Sequence, residues 1–367
     1  MNLLFALSQI EVTGAETYAV TLAQSLRQMG HKVVFISDQL KNSLDFKFYS
    51  LPIHAQNSSY WGRLRNALEI RKILQEENID LIHSHSRAAN LVCEFARRSR
   101  LKFKIPMVVT VHGRWRNHFA ARTLPCLGDQ TLAICPYLER YLIDEIKRPA
   151  NSIRMIPNGI DIESFIPMEL ASSTPTIVML ARFSGQKGKA NRFLLRRVFP
   201  QMLEKMPQHQ VFIAGNMAPK DDCDFALEFN QKLGRQAINI INEDVVPLEF
   251  YHTGSVAVGS GRVALEAMSA GKPVVAIGES SAPGLITPEN FDAAFESNFG
   301  DCGEWNRFES KKDKLMLDLV RILTDHELRQ NLGEWSRKKI KESFDSKGVA
   351  KNVLSLYTDL VTKSSAQ

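Results

Sequence analysis

Long apolar runs are missing from this 367-residue chain, and no stretch approaches the roughly 20 residues needed to cross a bilayer. The opening MNLLFALSQIE is apolar but has neither a basic leader nor a small-residue cleavage site, so it reads as a first strand rather than a signal peptide. Cysteine is scarce too: Cys93, Cys126, Cys135, Cys223 and Cys302 are odd in number, widely spaced and free of any C-x-x-C or Cys/His ligand pattern. That excludes a disulfide framework and a structural zinc, and it points to a reducing, cytoplasmic setting. No His/Cys/Asp/Glu set has metal-ligand spacing, and no nucleophile elbow of the G-x-S-x-G type is present. Low-complexity segments are absent, and nucleic acid is not among the expected partners.

What remains is ordinary globular material, 44% hydrophobic and 23% charged, which excludes a disordered or fibrous chain. Single cores stop growing at roughly 250–300 residues, so two to three domains are expected. The charge is uneven. Residues 1–165 hold 21 Lys and Arg against 15 Asp and Glu, whereas 166–367 hold 25 of each. The whole formal excess of +6 therefore lies in the first half, as an incidental basic surface or as a complement to an anionic partner.

The first half repeats one unit, a short apolar run followed by a helical pattern. Asn2–Ser8 precedes Gly14–Met29, where Ala15, Ala19, Leu22, Leu26 and Met29 recur every three or four positions. KVVFIS (32–37), Asp80–His83, PMVVTV (106–111) and Thr131–Ile134 are further strands, alternating with helices over 61–77, 88–98 and 137–147. Such alternation implies right-handed βαβ crossovers and a parallel, doubly wound sheet. An irregular stretch over 157–175 carries three prolines and reads as a linker. The grammar then restarts with TIVMLA (176–181), a helix over 191–205, QVFIA (210–214), Ile238–Ile241, Ser255–Val258, a helix over 261–270 and PVVAI (273–277). From Lys312 to about Leu360 the pattern is helical. Two α/β domains are therefore expected, 1–165 and 166–367, the second ending in a helical tail, with a ligand cleft between their strand edges.

Several residues stand where such sheets do chemistry. Gly14 opens the first helix, where backbone N–H groups and the positive helix end suit a phosphate, or where a glycine merely serves a tight turn. Arg182 and Lys187 follow the first strand of the second domain. They can converge on one diphosphate, the first through its planar fork and the second as a point charge; a solvated basic loop is the plainer account. Gly261, Arg262 and Val263 open a helix after Ser255–Val258, offering free N–H groups to an anion. Glu266, farther along that helix among apolar neighbours, is a candidate acceptor for ribose hydroxyls, or one half of a structural ion pair. His112 ends PMVVTV, and His83 and His85 end DLIHSHS, at the carboxyl edge of a parallel sheet.

Together these segments resemble the retaining glycosyltransferases of family 4, which have the two-Rossmann GT-B fold. The likeness runs through TGAETYAVTLAQSLRQMGHKVVFIS, DLIHSHS, VVTVHG, RMIPNGID, IVMLARFSGQKG and VALEAMSAGKPVVA, almost the whole chain. It implies two doubly wound domains facing a central cleft and transfer of a sugar from a nucleotide-diphosphate sugar to an acceptor hydroxyl, in cell-envelope glycan or glycolipid synthesis. It implies no cofactor and no metal, the nucleotide sugar being a substrate. Arg182 and Lys187 would neutralise the diphosphate, Gly14 and the N–H groups of Gly261, Arg262 and Val263 would touch the donor, Glu266 would hold the ribose, and His112 would bond to the donor sugar. One departure stands out: the family has a second glutamate eight positions before the first, and here that position is Val258. A sugar-nucleotide-binding subunit without catalysis, supporting a partner enzyme, is the alternative that Val258 raises. A two-Rossmann nucleotide-sugar epimerase is a third.

The acceptor is not legible in the sequence. The basic half does hold two candidate surfaces for it. Residues 60–74 place Trp61, Leu64, Leu68 and Ile70–Ile73 on a broad apolar face edged by Arg63, Arg65, Arg71 and Lys72, and Arg97, Arg98, Arg100, Lys102 and Lys104 crowd into eight positions. The plain account is a sheet-covering helix with a basic outer face. The sharper one is peripheral docking on anionic lipid at the cytoplasmic side of a membrane.

Overall fold

Short apolar runs become strands in the computed structural model, which describes residues 1–8, 14–40, 45–57, 59–98, 105–115, 126–168, 174–303 and 309–365. The chain forms two units, Met1–Gly159 with Ser346–Gln367, and Ile160–Asp345.

In the first unit, β1 (Asn2–Ala6), β2 (Lys32–Ser37), β3 (Lys47–Ser50), β4 (Leu81–Ser84), β5 (Met107–Val111), β6 (Gln130–Ala133) and β7 (Ile153–Met155) lie in the order β3-β2-β1-β4-β5-β6-β7. Every pairing is parallel. Parallel strands are covered on both faces, so they read as unbroken apolar runs rather than alternating ones, and Leu3 to Ala6 are wholly buried. Helix Gly14–Gln28 buries Tyr18, Ala19, Leu22 and Leu26, the stripe that its three-to-four spacing predicts. Helix Tyr60–Glu76 starts at Ser59, whose Oγ accepts from the Gly62 N–H at 3.0 Å. Strand order reverses between β1 and β4, which makes their carboxyl ends the switch point of the sheet. Just beyond those ends, Ser86 Oγ donates to Ser8 Oγ at 3.0 Å.

The second unit holds β8 (Ile177–Leu180), β9 (Val211–Ala214), β10 (Ile238–Ile241), β11 (Val256–Gly259), β12 (Val274–Ala276) and β13 (Gly284–Leu285), in the order β10-β9-β8-β11-β12-β13. Only the β12–β13 pairing is antiparallel among them. Its switch point lies between β8 and β11. The helix expected over 191–205 begins earlier, at Gly185, and is broken into Gly185–Phe193, a π-turn over Leu194–Val198 and Phe199–Lys205. Pro200, which lacks an N–H, sits at the start of the last piece, where the missing donor is tolerated. No helix among the described residues is long and apolar enough to cross a membrane.

The division differs from the one drawn at 165/166. The chain leaves the first unit at Gly159 and returns to it at Ser346, so the last helix, Ser346–Ser365, does not belong to the second domain. Val349, Ala350, Val353 and Tyr357 enter the same core as Tyr18 and Leu22. A helix with that apolar stripe must bury it, and helix Gly14–Gln28 provides the surface.

Candidate functional site

The switch point of the second unit brings the loops after β8 and β11 side by side. Arg182, just beyond β8, is exposed, and its carbonyl accepts from Asn191 Nδ2 at 2.9 Å. Lys187 lies in the first turn of helix Gly185–Phe193 rather than in a loop. That turn is folded so tightly that a Cβ added at Gly188 would lie 2.3 Å from the Phe183 carbonyl oxygen. Lys187 Nζ reaches Asp301 Oδ2 at 2.8 Å, and Ser260 Oγ, after β11, donates to Asp301 Oδ1 at 2.5 Å. One carboxylate thus ties the two loops together. The sequence offered no motif for Asp301: it lies past the helix Phe291–Glu296, far from either loop along the chain.

Gly261 caps helix Arg262–Ser269 with φ 55° and ψ −129°, a conformation for which side chains are poorly suited. Its N–H is not free for a ligand, because it donates to the Asn298 carbonyl at 3.0 Å. The turn at 297–301 folds over the loop and takes that donor. Arg262 and Val263 occupy the first turn, where N–H groups have no intrahelical acceptor. Glu266 is 6% exposed. Its Oε1 accepts from Arg262 Nε at 2.6 Å, and its Oε2 from the Tyr251 hydroxyl at 3.4 Å. Burial raises its pKa, against the opposing pull of Arg262. Of the two accounts of Glu266, the geometry contains the ion pair directly. Val258 is buried in the core within β11, so no side chain there points to the loops.

Gly14 and His112 stand in the other unit, each beyond the carboxyl end of a strand. Gly14 is exposed, and a Cβ added to it would meet nothing within 4 Å among the described residues, whose packing does not demand a glycine there. His112 follows β5 and is half-buried, its ring edge-to-face with Tyr18 at 5.1 Å between centroids. His85 lies 5.8 Å from His112 and 4.1 Å from His83, so three imidazoles line up from the sheet interior to its edge. His83 is wholly buried and bonded at Nδ1 to the Tyr357 hydroxyl and at Nε2 to Thr110 Oγ1 (2.7 Å). His85 is also buried, and neither of its ring nitrogens has a hydrogen-bond partner among the described residues. Burial, then the neighbouring imidazoles, hold both pKa values well below the usual histidine range.

The two basic surfaces come out differently. Arg97 is not a surface charge: it is buried, chelated by both oxygens of Glu94 and paired at 2.5 Å with Asp129, which also accepts from the Met107 N–H. An arginine in the last turn of its helix is used to tie that helix to the edges of β5 and β6. Arg98 pairs with Glu94, and Arg100, Lys102 and Lys104 lie outside the described residues. In helix Tyr60–Glu76 the single broad face divides into two. Ala67, Ile70, Ile73 and Leu74 pack inward, while Tyr60, Trp61, Leu64 and Leu68 face outward, Trp61 75% exposed.

Residues 12–164 match the model of Glycosyltransferase Family 4. Along 89% of its length the chain is 23% identical to the UDP-Gal:alpha-D-GlcNAc-diphosphoundecaprenol alpha-1,3-galactosyltransferase of Escherichia coli, covering 87% of that protein. Among solved structures it superposes on a glycosyltransferase of Rickettsia africae with a TM-score of 0.75 at 18% identity, covering 98% of each chain. It also superposes on Anabaena HepE, solved with UDP-glucose, at a TM-score of 0.74 and 16% identity over 98% of this chain and all of that one. A family match over the first unit, two doubly wound parallel sheets and relatives of one kind along the whole length agree, and the chain is a family 4-like glycosyltransferase with the GT-B fold.

Proposed function

We propose that the protein moves a sugar, with retention, from a nucleoside-diphosphate sugar to an acceptor hydroxyl, in the making of a cell-envelope glycan or glycolipid. The observation that carries this is the meeting of Lys187 and Ser260, which stands just before helix Arg262–Ser269, on the carboxylate of Asp301 at the β8/β11 switch point, with Arg182 exposed after β8. The charge that grows on the leaving diphosphate is met by Arg182, Lys187 and the helix N-terminus, groups already in place before reaction. On this reading no divalent ion is needed, and the departing phosphate oxygen takes the acceptor proton. The relatives, one named for UDP-Gal and one solved with UDP-glucose, support a nucleotide-sugar donor.

Incubation with UDP-, GDP- and ADP-sugars tests the reading. Slow hydrolysis of one donor with release of its nucleoside diphosphate is expected. A thermal shift without turnover would mean a binding subunit, and a changed sugar on an intact nucleotide would mean an epimerase.

The acceptor we assign is lipid-linked and reached at the cytoplasmic face of a membrane. Tyr60, Trp61, Leu64 and Leu68 share an exposed stripe at helical spacing, with Arg65 and Lys72 exposed on the same helix. An aromatic stripe edged by cations suits an anionic bilayer surface, each basic residue adding about 1 kcal/mol. The E. coli relative, named for a diphosphoundecaprenol acceptor, supports the assignment. The protein is expected to sediment with vesicles containing phosphatidylglycerol at low salt and to be released at high salt. A Trp61→Ala, Leu68→Ala double variant should lose most of that binding at unchanged activity on a soluble acceptor analogue. Equal absence of binding to anionic and neutral vesicles at low salt would refute the assignment.

A further inference from the structure

We infer that Asp301 is the residue that selects the donor sugar, accepting hydrogen bonds from its hydroxyls while holding Lys187 in place. The inference rests on the nucleotide-sugar donor proposed above.

A sugar beside the diphosphate presents several hydroxyls, and a carboxylate is the acceptor best able to orient them. Two carboxylate positions suggested by the sequence are not available for this. Position 258 is a valine, 1% exposed in the core. Glu266 is buried, with each oxygen engaged by a partner of its own unit. Asp301 differs on each count. Its side chain is 18% exposed, and it sits against the loop that would receive the phosphates. An ionised carboxylate has about four lone-pair sites, two on each oxygen. Lys187 takes one on Oδ2 and Ser260 one on Oδ1, so among the described residues an acceptor site remains on each oxygen.

The carboxylate is held in a built position. Asn298 O accepts from both the Gly261 N–H (3.0 Å) and the Asp301 N–H (3.3 Å), joining the turn to the helix start. From the other side, the Ser280 N–H donates to Gly300 O at 2.9 Å, and Ser280 Oγ to Asp301 O at 3.3 Å. Asp301 Oδ2 lies so near the chain that a Cβ at Gly261 would come within 2.4 Å of it. A solvated surface acid needs none of this. A carboxylate next to a diphosphate is also repelled by it, unless a cation lies between and hydroxyls satisfy what is left. Lys187 provides the first, and the sugar of the donor provides the second. Free nucleoside diphosphate, lacking the sugar, gains nothing from Asp301.

Asp301→Asn and Asp301→Ala in the full chain test this, with UDP, UDP-glucose and UDP-galactose as probes. Asn matches the shape of Asp, so that variant keeps the test open if Ala fails to fold. In both, UDP should bind as tightly as in the wild type or tighter. The kcat/KM for the preferred sugar should fall about thirtyfold, the size expected for lost hydrogen bonds to a charged group. Preference between the two epimeric donors should shrink toward one. Loss of UDP binding in step with turnover would overturn the proposal, reducing Asp301 to a support for Lys187. Unchanged epimer preference in Asp301→Ala would overturn it as well. A wild-type protein that bound none of the three probes, nor any other nucleoside diphosphate, would instead refute the donor reading itself.

Discussion

Turnover should fall by about a hundredfold or more when Lys187 is replaced by Ala, and by a comparable factor for Arg182→Ala, the loss of about 3 kcal/mol expected for one preorganised donor to a developing charge. The larger effect belongs to Lys187. Removing it deletes a cation and also leaves Asp301, 2.8 Å away in the intact protein, as an uncompensated carboxylate near the leaving group. Folding should survive in both cases, because Arg182 is exposed and Lys187 lies in the first turn of a surface helix. Steady-state kinetics with the donor found by the nucleotide-sugar panel gives the answer. Near wild-type kcat in both variants would place the diphosphate elsewhere.

Mild acid should weaken the first unit steeply. His83 and His85 are buried, and their pKa values are held well below 6.5, the ordinary value that the unfolded chain regains. Below about pH 6.5 the unfolded state therefore binds protons that the folded state refuses. Stability is complete above that pH and is lost as the pH falls through it, by about 1.4 kcal/mol per pH unit for each ring and about 2.7 for the pair. Hydrogen exchange of the β4 amides between pH 7.5 and 5.5, corrected for the intrinsic rate, measures the loss. His85→Phe should reduce the slope by about half, since that ring makes no hydrogen bond among the described residues to lose. A protection free energy that stays flat across this range would show that the two histidines already titrate in the folded protein. The consequence reaches the chain terminus, because His83 is bonded to Tyr357 on the last helix.

Much of the architecture was legible one residue at a time. Buried parallel strands such as Leu3–Ala6 and Val33–Ile36 announce themselves because both faces must be apolar, and helix Gly14–Gln28 because its stripe recurs every three or four positions. The edge strands β3 (KFYS), β7 (IRM) and β13 (GL) went unseen: two carry polar residues and the third is only two residues long, so none is an apolar run that marks a buried strand. The break in the helix after Phe193 also went unseen, because a π-turn leaves no mark in composition.

The site divides along the same line. The places of Arg182, Lys187 and the helix start at Gly261 were readable because each lies in the segment between a strand and the first turn of the next helix, and the carboxyl end of a parallel strand fixes where those residues stand. Local chain geometry therefore determined, from sequence alone, two doubly wound sheets and the cations at the edge of the second. Contacts between distant segments were decided by the tertiary structure. Asp301 reaches Lys187 across 114 positions of sequence, Tyr357 reaches His83 across 274, and the last helix joins the first sheet rather than the second. Arg97, one basic residue among several in the sequence, turns inward to Asp129, 32 positions away. Such pairings depend on which groups the packed sheets bring within about 3 Å, a distance that periodicity and spacing cannot encode for residues so far apart along the chain.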